Sequence, residues 1–139
     1  MAEWHVRLEA EPDAKLREQI LAPLAAHNES IAGPGNWGLL AVTVRDAEDT
    51  VVGGLWGRTG YGYLFVELLA MGPARGQGHG RAVMALAETE CRRRGLRGMW
   101  LDTWTFQAPG FYQKLGFEEC GRIKEYPPGH DRIFFVKRF

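Results

Sequence analysis

The sequence predicts a single mixed α/β domain built around one sheet. The 139 residues are a usual length for one domain with its own core, and nearly half of them are apolar. Strand-like segments alternate with well-marked helical segments along the chain. No long linker, low-complexity segment or internal repeat interrupts them, so we expect one domain over residues 1–139.

The N-terminal quarter predicts one strand and one helix. Alternating polarity over residues 3–10 is typical of a strand. Pro12 then opens a helical segment in which every fourth residue is apolar. We expect Pro23 to kink or end this helix, and the composition of residues 27–36 favours a loop.

The middle of the chain predicts three strands that pair in sequence order. Residues 37–45 and 51–57 are apolar segments separated by a polar turn, which is the pattern of a hairpin. A glycine-rich turn at 60–62 leads to residues 63–71, an almost continuous apolar run. Such a run is typical of a strand that is buried on both faces.

The rest of the chain predicts two helices and three strands. Residues 80–94 form the clearest helix, whose inner face carries Val83, Leu86, Ala87 and Cys91. Its polar face carries Glu and Arg at i, i+4 spacing. A strand over 97–105, a short helix over 108–116 and two final strands follow. The whole order is β-α-β-β-β-α-β-α-β-β.

Composition and charge exclude several classes of function. The formal net charge is zero, so neither nucleic acid nor an anionic membrane surface is an expected partner. Two distant cysteines make no disulfide framework or zinc site, and the four histidines show no metal spacing. The start of the chain lacks an apolar signal segment, so we expect a cytoplasmic protein.

A glycine-rich stretch, "RGQGHG" at 75–80, joins the apolar strand to the strong helix. The first turn of a helix has N–H groups without intrahelical partners, and glycines let a ligand approach them closely. This arrangement predicts an anion site, most often for phosphate. A turn needed only for tight strand–helix packing is the alternative. The lysine of a P-loop and the spacing of a dinucleotide fold are both absent.

Two motifs resemble one known family. "RGQGHG" fits the R/Q-x-x-G-x-G/A signature of the GNAT N-acetyltransferase superfamily, and "APGFYQKLGF" at 108–117 is similar to its A-x-x-x-Y-x-x-x-G-F helix. The resemblance covers residues 51–139 well and the first fifty residues by element order only. It implies a GNAT-like mixed, mostly antiparallel sheet with helices on both faces and a splay between the fourth and fifth strands.

The resemblance also implies acetyl-CoA as co-substrate. The pantetheine arm would lie along Leu69, Ala70 and Met71, and the pyrophosphate would lie against the glycine turn. Two departures from the family pattern affect this assignment: only Ala74 separates Pro73 from the motif arginine, and Thr105 replaces a frequent asparagine. The cofactor residues that the resemblance implies are therefore Leu69, Ala70, Met71, Arg75, Gly76, Gln77, Gly78, His79, Gly80, Arg81 and Thr105.

The same resemblance implies direct attack of an amine on a thioester. Tyr112 matches the family tyrosine that gives a proton to the departing thiolate, while packing of an aromatic helix residue is the alternative. Glu67 stands alone in an apolar strand, where burial would raise its pKa and make it a base. A charge at a sheet surface or an arginine pair is the alternative reading of Glu67, and Asp102 is the second candidate base.

The sequence does not indicate the acceptor amine. A small molecule or a peptide is expected, and family resemblance favours a homodimer. Two other functions stay open at this point: a GNAT-like binding module without catalysis, and an unrelated protein that binds a phosphate ligand.

Overall fold

The structure is a computed structural model that describes residues 2–139, and the chain divides into two compact units with the boundary after Gly35. In the first unit, helix α1 (Ala14–Ala32) begins at Asp13, whose carboxylate accepts a 2.8 Å hydrogen bond from the Leu16 amide. The helix continues through Pro23, and no residue of it is buried.

Two expectations for this unit, the strand over 3–10 and the loop over 27–36, are wrong, and of the kink or end expected at Pro23 the end does not occur. Residues 3–10 form no strand, because alternating polarity does not by itself supply a neighbouring strand to hydrogen-bond with. Pro23 does not end the helix, since a proline removes only one hydrogen bond from a helix that is long enough to tolerate its loss. The helix accordingly extends over most of the segment 27–36 that was expected to be a loop.

The second unit contains a six-stranded sheet in the order β1-β2-β3-β4-β6-β5. Only β3 and β4 are parallel, and every other neighbouring pair is antiparallel. This confirms the predicted mixed, mostly antiparallel sheet. The strands are β1 (Gly38–Arg45), β2 (Val51–Gly60), β3 (Tyr63–Ala70), β4 (Gly98–Trp104), β5 (Glu118–Ile123) and β6 (Arg132–Arg138).

Helix α2 (His79–Arg93) packs against β1, β2 and β3 through one apolar face. The buried residues are Val83, Met84, Ala87 and Cys91. The expected inner-face residue Leu86 is instead exposed, because it lies about 100° around the helix from Ala87, outside the stripe that Met84 completes. The predicted i, i+4 ion pairs of Arg92 and Arg94 with Glu88 and Glu90 are present.

The face of the sheet that α2 covers holds the core of this unit. On β3 only Leu64 and Val66 are buried, while Phe65 is half-buried and Glu67 and Leu68 are exposed. The expectation that this strand is buried on both faces is therefore wrong. We call the face of the sheet opposite α2 the open face. The last helix, α3 (Pro109–Lys114), follows β4.

Candidate active site

The parallel strands β3 and β4 separate partway along their length. Their pairing ends at Val66 and Leu101, although both strands continue beyond this point. On the other edge of β3, Val66 pairs with Gly57 and Leu68 pairs with Trp56, so Glu67 is an additional, bulged residue. Since a bulge bends its strand, β3 turns away from β4 directly after the last paired residue.

A turn rich in free amides follows the end of β3. A 3₁₀ turn over Gly72–Ala74 takes up the short segment before Arg75, and α2 begins at His79. Among residues 2–139, none accepts a hydrogen bond from the backbone N–H groups of residues 76–81. These groups lie at the positive end of the α2 dipole, where an anion is stabilised.

Glycines in this turn have two different roles. Gly76 and Gly78 have positive φ angles of 80° and 81°, and a Cβ atom at either position would meet no protein atom within 4 Å. Both residues therefore border open space from which a ligand can approach. A Cβ at Gly80 would lie 3.3 Å from Cζ of Phe111, so this glycine allows α2 and α3 to pack closely.

The other predicted cofactor residues lie around this turn. Leu69 packs against the core, and Ala70 is exposed at the end of β3. Arg75, Gln77, His79 and Arg81 are all exposed. The end of β3 and the amide turn thus follow each other along one continuous stretch of backbone.

A cavity of about 490 Å³ occupies the space where β3 and β4 separate. From the α2 side it is lined by Val66, Leu101, Thr103 and Tyr112. Side chains alternate between the two faces of a strand, so Phe65 and Asp102 line the cavity from the open face. The cavity therefore has lining residues from both faces of the sheet.

Tyr112 lies on the α2 side of this cavity. α3 holds its ring edge-on to Phe111 and Phe117, with centroid distances of 5.1 and 6.0 Å. Burial raises the pKa of the Tyr112 phenol, and no hydrogen bond from another residue offsets that effect. At neutral pH the phenol therefore holds its proton and can serve as a donor.

Glu67 lines the cavity but is not buried. Its side chain is 41 % exposed, and its Oε2 lies 3.2 Å from Nε of Arg58. The bulge explains why the expected burial is wrong, because it places Glu67 and Leu68 in succession at the surface. Glu67 is thus both a charge at the sheet surface and the partner of an arginine.

Asp102 lies in the same cavity, with only 11 % of its side chain exposed. Its Oδ1 accepts a 2.9 Å hydrogen bond from Nε of Arg132 and forms an ion pair with Nη2 at 2.8 Å. The Arg132 guanidinium also lies 5.0 Å from the Trp104 ring centroid and 5.5 Å from that of Tyr126. Sequence reasoning missed Arg132, because its partner depends on the pairing of β4 with β6.

The segment after β4 is tied to the turn before β6. Thr105 donates its amide to the Asp131 carbonyl, and its hydroxyl accepts from the Asp131 amide, both at 3.0 Å. The predicted cofactor residue Thr105 thus holds the β5–β6 turn in place. Within that turn, the Arg122 hydrogen bond lowers the pKa of the Asp131 carboxyl. Gln107, which sequence reasoning also missed, lines the cavity and accepts from the Thr103 hydroxyl at 2.7 Å.

Neither a metal cluster nor a membrane-spanning helix stands out in the part of the chain that the structure describes. Within residues 2–139, no three His, Cys, Asp or Glu side chains are grouped so as to hold a metal ion. None of the helices in that range combines the length and hydrophobicity needed to cross a membrane.

A mixed sheet that opens at its parallel pair, beside a helix that begins with free amides, is the architecture expected of a GNAT-type acyltransferase. Comparison with known proteins agrees with this. The family model described as "Acetyltransferase (GNAT) family" matches residues 3–117. The chain therefore belongs to the GNAT family, and it is an acetyltransferase.

Three relatives show how far this similarity extends. An acetyltransferase of Agrobacterium fabrum is 36% identical over 128 residues, covering 91% of this chain and 93% of that protein. A blasticidin-S acetyltransferase of Streptomyces morookaense is 42% identical over 89 residues, covering 63% of this chain and 65% of that protein. A crystal structure from Agrobacterium tumefaciens has a TM-score of 0.90 at 34% identity, covering 98% of this chain and all of that one.

Proposed function

We propose that this enzyme transfers an acetyl group from acetyl-CoA to an amine by direct attack, without a covalent enzyme intermediate. The observation that carries the proposal is the cavity where β3 and β4 separate, with lining residues from both faces of the sheet. It has a protonated phenol on the α2 side and two carboxylates on the open face. A donor and an acceptor can therefore enter from opposite faces and meet inside it.

The residues around the amide turn fit acetyl-CoA. The unpartnered amides of residues 76–81 would hold the pyrophosphate, each by a hydrogen bond to a charged oxygen worth about 1.5–3 kcal/mol. Arg75 and Arg81 flank the turn and would add positive charge. The pantetheine arm would follow Leu69, Ala70 and Met71 into the cavity. Bound in this way, acetyl-CoA supplies the activated acetyl thioester.

The cavity residues divide the proton transfers between them. Glu67, which is open to solvent, accepts a proton from the acceptor ammonium directly or through a water molecule. Tyr112 donates its phenolic proton to the departing sulfur. Asp102 is the alternative base, although its Oδ1 already accepts a hydrogen bond from Arg132 and is ion-paired with it.

Thiol release from acetyl-CoA, measured across a panel of amines that includes blasticidin S, tests this function. We expect release with at least one amine, and calorimetric binding of CoA that is tighter than that of ADP. Binding of CoA without thiol release would instead indicate a regulatory module. Binding of ADP but not CoA would indicate an unrelated phosphate ligand.

Tyr112→Phe tests the donor role directly. General acid catalysis contributes about 10²–10⁴ in rate, so we expect kcat to fall at least about 100-fold. The KM for acetyl-CoA should change little, because in the proposed mechanism the hydroxyl would contact only the reacting sulfur. Glu67→Gln serves as a parallel variant for the base. Unchanged turnover in Tyr112→Phe would remove the phenol from the mechanism.

A further inference from the structure

We infer that the acceptor carries a planar aromatic or heteroaromatic ring, and that this ring binds in an aromatic groove on the open face of the sheet. The inference rests on the proposed function, since it concerns the second substrate of that reaction. The groove encloses about 480 Å³ and is lined by Trp37, Arg58, Gly60, Tyr61, Tyr63, Phe65 and Trp100.

Aromatic rings form both walls of the groove. Phe65 and Trp100 stack with centroids 4.2 Å apart and planes 22° from parallel. Trp37 meets Tyr61 edge-on at 5.3 Å. Stacked or edge-on aromatic pairs are stabilised beyond the area that they bury, so this surface favours another flat ring.

Trp37 is held in place although 72 % of it is exposed. Its ring lies directly over Gly60, where an added Cβ would fall 2.1 Å from the indole Cζ3. Only glycine allows that approach. A large exposed indole that is seated in this way presents an ordered apolar surface, and covering it with a ligand is favourable.

The groove is continuous with the candidate active site. Phe65 lines both the groove and the cavity. Arg58 lines the groove, lies 5.5 Å from the Phe65 ring centroid and pairs with Glu67. Two residues of a strand span about 7 Å, so a ring that rests on Phe65 can place an amine on a two-carbon tether near Glu67.

The charges around the cavity agree with recognition of the acceptor through its ring and not through its charge. Each of the two carboxylates, Glu67 and Asp102, is paired with an arginine. These four side chains together have no net formal charge, so they offer no excess negative potential to a polycation. Recognition by the groove then depends on shape and stacking.

The test compares three amines that differ in the hydrocarbon group that carries the amine: 2-phenylethylamine, 2-cyclohexylethylamine and n-butylamine. We expect kcat/KM for the phenyl compound to exceed that of the cyclohexyl compound about 3- to 10-fold, the range of aromatic pair effects. Trp37→Ala should remove this preference while leaving the KM for acetyl-CoA unchanged. Trp56→Ala is the matched control, because Trp56 is also exposed but lines neither the groove nor the cavity.

Binding of 2-phenylethylamine, followed by tryptophan fluorescence, separates this inference from the proposed function. Saturable binding that Trp37→Ala weakens, without thiol release from any amine, would refute the proposed function and support the groove. Thiol release with equal kcat/KM for the two ring compounds would overturn the inference. So would a Trp37→Ala effect seen only as a change in oligomeric state by sedimentation.

Discussion

The two sides of the opening between β3 and β4 are built from different parts of the chain. On the α2 side, backbone N–H groups of one continuous turn face open space, and glycines give that turn its conformation. On the open face, two ion pairs are formed by side chains from four strands: Arg58, Glu67, Asp102 and Arg132. The first side is local in sequence, whereas the second depends on sheet register.

This difference teaches which substitutions each side can tolerate. A turn of backbone amides keeps its chemistry when neighbouring side chains change, provided that the glycines remain. A set of ion pairs and rings changes its preference with each substitution. On the proposed function, donor binding is therefore the part that relatives can share, and acceptor binding is the part that can diverge.

Among the substitutions that should affect one side of the opening and not the other, Gly78→Ala is expected to have the largest effect. The new Cβ would project into the space where the pyrophosphate is proposed to lie. Loss of one charged hydrogen bond corresponds to a rise of about 10- to 100-fold in the KM for acetyl-CoA. The KM for the acceptor should stay the same. Steady-state kinetics with each substrate varied in turn measures both values.

Gly95→Ala is the control for backbone strain. Gly95 follows α2 at the opposite end, has a positive φ of 75° and also borders open space. Both substitutions should cost about 1–2 kcal/mol in the free energy of unfolding, because both force a side chain into the left-handed region. An equal rise in the acetyl-CoA KM for both variants would show that strain, and not the turn, is responsible.

A smaller effect is expected from Asp102→Ala, which affects the acceptor side. Removal of this partner leaves the Arg132 charge partly buried and uncompensated, at a cost of about 2 kcal/mol in the free energy of unfolding. We expect the KM for the acceptor to rise about tenfold, an effect that corresponds to about 1.4 kcal/mol. The KM for acetyl-CoA should remain unchanged. Urea unfolding and the same kinetics measure these values.

Asp102→Asn serves as the conservative variant, because its amide oxygen can still accept from Arg132. It should recover part of the stability and part of the acceptor affinity. If Asp102→Ala raised the acetyl-CoA KM as much as the acceptor KM, the two sides of the opening would not be separable.

What the sequence could predict follows the same division. The run from β3 through the glycine turn into α2 is found within a residue of its expected bounds, because apolar runs, glycines and helical periodicity are local patterns. The mixed sheet follows from the order of those elements.

The positions of the side chains on the open face could not be predicted from local sequence patterns. The bulge at Glu67 depends on how β2 pairs with β3, and no local pattern contains that register. The expected burial of Glu67 failed for this reason, and Arg132 went unnoticed because its partner Asp102 is on another strand. The strand expected over 3–10 failed similarly, since a strand needs a neighbour that its own residues do not specify.

The smallest expected effect concerns the two cysteines, which lie on different sides of the sheet. Cys91 is buried near the C-terminal end of α2, and burial raises the pKa of its thiol to about 11. Cys120 is exposed on β5, where its thiol donates to the Phe134 carbonyl at 3.4 Å. Since the thiolate is the reactive form, iodoacetamide at pH 8 should modify Cys120 alone. Peptide mass spectrometry measures this.

Cysteine alkylation also tests whether α2 stays packed against the sheet in the native protein. Alkylation at Cys120 should leave the KM for acetyl-CoA unchanged, because this residue is on β5 and not on the turn that leads into α2. Rapid labelling of Cys91 in the native protein would mean that α2 opens away from the sheet. The amide turn could not then be a fixed site, and the contrast between a rigid donor side and a variable acceptor side would fail.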